Sequence, residues 1–272
     1  MNIEWLNTLN NLLESEQIAN PRGYTIKELL NYHTSVDMKY PILTIPERKL
    51  GYKFMAREAW WIMDGRNNVE DITDYSKAIS KFSNDGFHFD GAYGPRVIDQ
   101  IRYIVDCFEN DIDTRQAVLT IWRANPRASK DIPCTVSIQW LIRNNKIYCI
   151  DTMRSSDIWL GWPYDIFNFS MLTGYIMLLL RERGINNLEL GKIYLNAGSQ
   201  HIYQEHFDKA KELLKNHTVW LHKSEFNPYK FKGPNDLKRY LKYLSEGNIS
   251  KLSEYNTDFA REVLNIAQYN KK

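Results

Sequence analysis

The sequence predicts an α+β fold, with a mainly antiparallel sheet built around one buried central helix. Three observations carry this. Val136, Ile138, Trp140 and Ile142 alternate with Ser137 and Gln139, and a second strand-like run goes from Lys146 to Met153 beyond Asn144-Asn145. Alternation at period two marks strands, and Asn tolerates the positive φ of a two-residue hairpin turn. From Pro163 to about Arg183 the chain is almost continuously apolar, which suits a helix buried on every side with proline in its opening turn. The remaining strand and helix patterns follow one another without an internal repeat.

In chain order, Ile3, Leu6, Leu9, Leu12 and Leu13 give residues 3–16 helical spacing, and 20–24 reads as a loop. Residues 38–44 form a short apolar stretch broken by Pro41. Lys53 to Asp64 is apolar almost all round and predicts a buried helix ending near Gly65, with Glu58 inside it. A buried carboxylate is costly alone, so Glu58 either meets a basic partner or lines a polar cavity. One or two short helices fit 69–83, a turn at 90–96 leads into a helix over about 96–110, and Gln116 to Trp122 is a strand by its Val, Leu, Thr and Ile content. After the central helix come a strand over 188–195, a loop over 196–201 and a helix over 202–214. A last strand is predicted over 219–222, then amphipathic helices over 234–246 and 250–268. No linker rich in Pro, Gly or Ser divides the chain, so one domain is expected over 1–272, with about 225–272 as a helical C-terminal extension.

Composition narrows the function classes. Hydrophobic residues make up 43% and aromatics 13%, enough for a sizeable core, and the net charge of +2 argues against a dedicated nucleic-acid binder. Three cysteines, Cys107, Cys134 and Cys149, share no CxxC spacing and fit neither a disulfide framework nor zinc; no histidine sits at metal-ligand spacing, so no metal is expected. Cys107 and Cys149 lie in apolar patterns and read as core. The start lacks the features of a signal peptide and the longest apolar run is too short to span a bilayer, so no membrane partner and a reduced, cytoplasmic setting are expected.

The hairpin suggests chemistry. Its register sets Arg143 against Lys146 and Gln139 against Ile150, and so places Cys134 opposite Ser155 and beside Arg154. A thiol, a hydroxyl and a guanidinium would then meet at one end of the sheet, where the cation favours the thiolate. Taken alone, Arg22 is an exposed loop arginine or an anion contact, and Asp165 complements the N-terminal dipole of its helix.

These residues, in this order, resemble the thymidylate synthase superfamily. The resemblance runs over roughly 20–222 through Pro41-Ile42-Leu43-Thr44, Glu58-Ala59-Trp60-Trp61, Tyr93-Gly94, Asp113-Thr114-Arg115, Pro133-Cys134, Gln139, Arg154-Ser155-Ser156-Asp157, Leu160-Gly161 and Gly198-Ser199-Gln200-His201-Ile202-Tyr203. It implies a thymidylate synthase-like fold and a homodimer that transfers a one-carbon unit from methylenetetrahydrofolate to C5 of a pyrimidine nucleoside monophosphate. By the resemblance, Cys134 is the nucleophile at C6 and Glu58 the general acid/base. Arg22, Arg154 and Ser155 bind the 5′-phosphate, with Arg115 supplied by the second subunit; Gln139, Ser156 and Asp157 belong to the nucleotide-side motifs. His201 and Tyr203 hold the sugar hydroxyl, and Trp61, Asp157, Leu160, Gly161 and Tyr164 face the folate.

Departures from the family pattern point to the substrate. Asp165 stands where thymidylate synthases place an asparagine that reads uracil. A carboxyl can accept from the amino group of cytosine and, protonated, donate to N3, so dCMP is expected; deoxycytidylate hydroxymethylases carry an aspartate here and share the look of Cys134-Thr135. Gln116 replaces a second arginine, and the tail ends Asn270-Lys271-Lys272 instead of in the apolar terminus that closes over folate. The expected activity is therefore dCMP 5-hydroxymethylation; the alternative is C5 methylation of dUMP or dCMP. A virus-encoded enzyme working in a host cytoplasm would fit the same setting. Cysteine hydrolysis through Cys134 and His201, or nucleotide binding without catalysis, are rivals from other classes; the first predicts no folate dependence, and the second has no use for Cys134 with Glu58.

Overall fold

The computed structural model describes residues 1–219, 224–255, 257–259 and 263–264. Helix α1 (Asn2–Glu14) buries Trp5, Leu9 and Leu12, and the Trp5 indole N–H donates to the Ile158 carbonyl at 2.8 Å. Strand β1 (Ile18–Ala19) turns through a single 3₁₀ turn into β2 (Ile26–Asp37). Helix α2 (Tyr52–Met63) carries Glu58, followed by the short α3 (Glu70–Thr73) and by α4 (Tyr93–Asn110). Strand β3 (Val118–Thr120) precedes the hairpin of β4 (Thr135–Arg143) and β5 (Lys146–Asp157), whose turn has φ of 50° at Asn144 and 58° at Asn145. Then come α5 (Trp162–Glu182), β6 (Glu189–Tyr203), α6 (Phe207–Lys215), α7 (Pro234–Glu246) and α8 (Ile249–Leu252).

The sheet runs β1-β2-β6-β5-β4-β3, and only β5–β6 is parallel. A parallel pair needs a long crossover, and α5 is that crossover. It packs against β5 and β6 with Ile166, Phe167, Phe169, Leu172 and Ile176 fully or almost fully buried, as its apolar sequence requires. Helix α2 lies on α5, and α7 lies on both. The opposite face of the sheet is half-exposed and aromatic: His33, Tyr194 and Tyr148 stack in a row at 5.7 and 6.3 Å between ring centres.

Five sequence expectations need correction. Strand β2 was not anticipated, because its sequence mixes buried Glu28 and Thr34 with an exposed Leu30 and bends at Asn31, where φ is 49°. The 196–201 segment is the end of β6 and not a loop, so the following helix starts at Phe207 and not at 202. The helix expected from 96 starts at Tyr93. The strand expected over 116–122 is only the three residues of β3. Of the strand expected over 219–222, Val219 is irregular and the rest lies outside the described residues. The helix expected over 250–268 breaks off at Leu252, with 253–255 in turns, and its residues 256, 260–262 and 265–268 also lie outside the described residues. Cys107 and Cys149 are buried.

Candidate active site

Cys134 sits at the mouth of β4, and a local irregularity decides what it meets. Pairing holds at Arg143↔Lys146 and Gln139↔Ile150, then slips by one residue between Thr135 and Ser137, so that Thr135 pairs with Met153. This β-bulge sets Cys134 against Arg154, not against Ser155 as the uninterrupted register implied, and the Arg154 amide donates to the Cys134 carbonyl at 2.9 Å. The Arg154 guanidinium donates to the carbonyls of Pro133 and Ile132, both at 3.0 Å, and lies 3.8 Å from Cys134 Sγ. Two fixed donations aim the fork, leaving its outer N–H groups for an anion.

The expected thiolate does not follow in this state. Burial pushes the Cys134 thiol up; Arg154 and the Ser155 hydroxyl pull it down, while Asp165 and Asp131 push it further up. Desolvation outweighs the nearby cation, so the thiol holds its proton at neutral pH.

Glu58 projects from α2 and accepts a 2.7 Å hydrogen bond from Asn168 Nδ2 on α5. Burial raises it to about 7, and the Asn168 donation opposes that rise. A carboxyl poised near neutrality both gives and takes a proton readily. Asp165, in the first turn of α5, is held well above the usual carboxylate range by burial first, then by the like charges of Glu58 and Asp157. Tyr93 closes this side: its hydroxyl accepts from the Thr135 amide at 3.1 Å, and burial raises its own pKa well up.

Asp157 ends β5 opposite His201 of β6. Its Oδ1 accepts from the amides of Trp159 and Leu160 at 2.8 and 3.0 Å, while Oδ2 is buried without a partner. An unpartnered carboxyl oxygen suits the N–H-rich edge of a pterin, with the half-exposed Leu160 beside it. Trp61 is buried, its indole donating to the Asn68 carbonyl at 3.2 Å, and the Tyr164 hydroxyl accepts from the Gly51 amide at 3.0 Å, next to Gly161. His201 meets Tyr203 edge-on at 5.2 Å, and Arg22 reaches the Tyr203 hydroxyl at 3.4 Å from a backbone with φ of 54°. Left-handed backbone costs a non-glycine residue about 1 kcal/mol or more and is often tolerated where a side chain must be aimed. Gly198 lets β6 lie against Arg154: a Cβ there would stand 2.9 Å from its carbonyl oxygen.

The structure thus groups Cys134, Arg154 and Ser155, links Glu58, Asp157 and Asp165 electrostatically, and sets His201, Tyr203 and Arg22 together. Ser156 is buried and holds Gln200 through its carbonyl. Arg115 and Gln139 are not in this group. Gln139 donates to the Arg115 carbonyl at 2.8 Å, and the Arg115 side chain is exposed.

The thymidylate synthase family model matches residues 4–240. The chain belongs to the thymidylate synthase family. A thymidylate synthase of Francisella tularensis subsp. holarctica is 24% identical over 78% of this chain and 83% of its own length. One from Buchnera aphidicola subsp. Baizongia pistaciae is 24% identical over 85% and 88%. A deoxyuridylate hydroxymethyltransferase of Bacillus phage SP01 is 27% identical over 75% of this chain and 57% of its own length. As a thymidylate synthase family member, the chain is a one-carbon transferase acting on a pyrimidine nucleotide with methylenetetrahydrofolate as co-substrate. Among the described residues no helix is long and apolar enough to cross a membrane, and no cluster of three or more His, Cys, Asp or Glu could hold a metal ion.

Three side chains of the site were not singled out from sequence. Asn168 could have been: it follows Asp165 by three positions, on the same side of a helix otherwise apolar around it. Tyr93 was visible only as part of a motif. Arg48, buried, placed 4.4 Å over the Trp159 ring and donating to the Trp159 carbonyl, gave no signal at all.

Proposed function

We propose that this chain is a homodimeric dCMP 5-hydroxymethyltransferase. The observation that carries the reading is the place of Asp165, half-buried in the first turn of α5 near Cys134, where burial and the charges of Glu58 and Asp157 favour its protonated form. Neutral, it presents a carbonyl oxygen to the cytosine amino group and an O–H to N3. Arg154, Ser155 and Arg22 take the 5′-phosphate, an arginine fork matching a phosphate in charge and shape. His201 and Tyr203 take the sugar hydroxyl, with Ser156 and Asp157 in supporting positions. Cys134 gives its proton to solvent as the nucleotide settles, and the thiolate adds to C6, giving C5 the electron density that an aromatic pyrimidine withholds. Glu58 moves protons around C5 and, being ionised in part near neutrality, orients a water for attack. Methylenetetrahydrofolate, bound along Trp61, Asp157, Leu160, Gly161 and Tyr164, supplies the one-carbon unit. The phage relative is a deoxyuridylate hydroxymethyltransferase, which supports hydroxymethyl as the product and gives its weight to dUMP as the nucleotide.

The dimer is supported by the half-exposed aromatic face of the sheet and by the place of Arg115, outside its own pocket and free to enter a partner's. Such an enzyme works in a cytoplasm, with residues 1–272 acting as one domain.

A second reading rests on the same neutral acid. Turned over, a protonated carboxyl also fits uracil, accepting from N3–H and donating to O4, so dUMP is the competing substrate. Tritium release from C5-labelled dCMP and dUMP separates the two, product mass separates hydroxymethyl from methyl, and absorbance of dihydrofolate reports the methylating route. The reading of Asp165 fails if dUMP is turned over and dCMP is not.

A further inference from the structure

One buried group near the pocket has no role in the chemistry above. Asp151 lies on β5, where Ile147, Cys149, Asp151 and Met153 point to the helix-covered face and are all buried. It is the only ionisable carboxyl in that row, it is fully buried, and its hydrogen-bonding neighbour is the Thr135 hydroxyl, with no cation among the described residues beside it to hold a charge. An isolated carboxylate in such a place is untenable, so the group is a carboxylic acid with a proton to give. Its level along α5 follows from its neighbours. Cys149 and Trp140 lie level with Thr173, whose hydroxyl accepts from the Trp140 indole at 3.0 Å. Two residues on along β5 advance about 7 Å, just over one turn back along α5 from Thr173, which leaves Asp151 about one turn from the level of Asp165. The β-bulge turns Thr135 inward beside it, fully buried and with its hydroxyl toward the acid.

The groups facing this corner are known from each element. Helix α5 brings Asp165, α2 Glu58 and α4 Tyr93; β4 brings Thr135 with Cys134 at its mouth, and β5 adds Cys149 and, at its end, Asp157 opposite His201 of β6. Burial raises Asp151 well above the usual carboxylate range, and Asp165 adds to the rise. No cation among these groups stands behind Asp165.

We infer that Asp151 is a positioning residue for cytosine: its buried O–H stabilises the carboxylate left on Asp165 when the base takes the Asp165 proton. The step balances simply. As the Cys134 thiolate, its proton already lost to solvent, bonds through Sγ to C6, electron density moves to C5 and toward N3; the Asp165 O–H bond breaks, N3 gains that proton, and the single negative charge passes from sulfur to Asp165. Asp151 donates to that charge, directly or through one ordered water, and keeps its own proton. A buried carboxylic acid kept neutral so that it can donate is a known catalytic device. Uracil O4 is far less basic than cytosine N3, so the same transfer does not develop with dUMP and Asp151 matters little there.

The inference rests on Asp165 reading cytosine, and the test separates the two. Wild type, Asp165→Asn, Asp151→Asn and Asp151→Leu are compared for kcat/KM on dCMP and on dUMP, from mildly acid to mildly alkaline pH. Asp151→Leu should lose about tenfold on dCMP, the size of one hydrogen bond to a charged group. It should lose no more than about twofold on dUMP, whose turnover shows the fold intact. Asp151→Asn, still a donor, should recover most of the loss, and the alkaline limb of the dCMP profile should move in Asp151→Leu alone. Equal losses on both nucleotides, or an unmoved profile, overturn the role of Asp151. If Asp165→Asn leaves the base preference as it was, the reading of Asp165 itself falls, and the inference with it.

Discussion

Replacing Asn168 by alanine should move the working pH of the enzyme upward. Asn168 Nδ2 donates to Glu58 Oε2 at 2.7 Å, and Asn168 is almost fully buried. This donation favours the ionised carboxylate and opposes the burial that raises Glu58 to about 7. A hydrogen bond to a charged group is worth about 1.5–3 kcal/mol. At about 1.4 kcal/mol per pH unit, its loss should carry Glu58 to about 8 or 9. The readout is the pH profile of tritium release from C5-labelled nucleotide, whose acid limb follows ionisation of Glu58. Asn168→Ala should shift that limb up by about one to two pH units, with the alkaline plateau closer to wild type. An acid limb at the wild-type pH, in a variant that melts normally, would refute the assignment of Glu58 as the titrating acid/base.

Three further outcomes follow. Glu58 is raised from 4.5 to about 7, so the folded chain binds the extra proton in that window and stability falls as pH rises through it, by about 3 kcal/mol if fully expressed. Glu58→Gln should abolish that slope in urea midpoints, making the variant more stable than wild type above pH 7 but not below 4.5. Arg154→Ala removes the strongest influence lowering the Cys134 thiol; alkylation by iodoacetamide at neutral pH should slow about tenfold for each pH unit the thiol rises. In the hairpin turn, Asn145 has φ of 58°, which glycine adopts at less cost, so Asn145→Gly should raise the unfolding free energy measured in urea by up to about 1 kcal/mol without touching activity.

Where burial and periodicity agree, the elements could be read in advance. The β4–β5 turn, the buried α2 and the crossover α5 all have one dominant pattern each. Strand β2 has none: Ile26 and Val36 are buried at its ends, but Glu28 and Thr34 are buried too and Leu30 is exposed. The far end of β6 looked like a loop because Asn196, Ser199, Gln200 and His201 are polar. Gln200 and His201 are nevertheless buried, Gln200 donating to the Ser156 carbonyl at 2.9 Å and His201 pairing with Asp157. A strand that lines a polar pocket forfeits the apolar alternation by which strands are recognised. Motif alone named Cys134, Arg154 and Ser155, which the structure brings together; the bulge, the raised thiol and Asp151 were not legible, since each depends on what lies across the sheet.

The bulge at the mouth of β4 has one more consequence. In a period-two strand, even and odd positions take opposite faces, and Ile138, Trp140 and Ile142 put the even positions of β4 under α5. Continued without a slip, that parity would carry Cys134 into the oily interior and turn Thr135 outward. One surplus residue reverses it: Thr135 is fully buried and Cys134 keeps part of its surface. Reactivity at this position is therefore written as a count of residues. A deletion of Val136 would leave every polar side chain around Cys134 chemically present, the hairpin foldable and the thiol facing the wrong way.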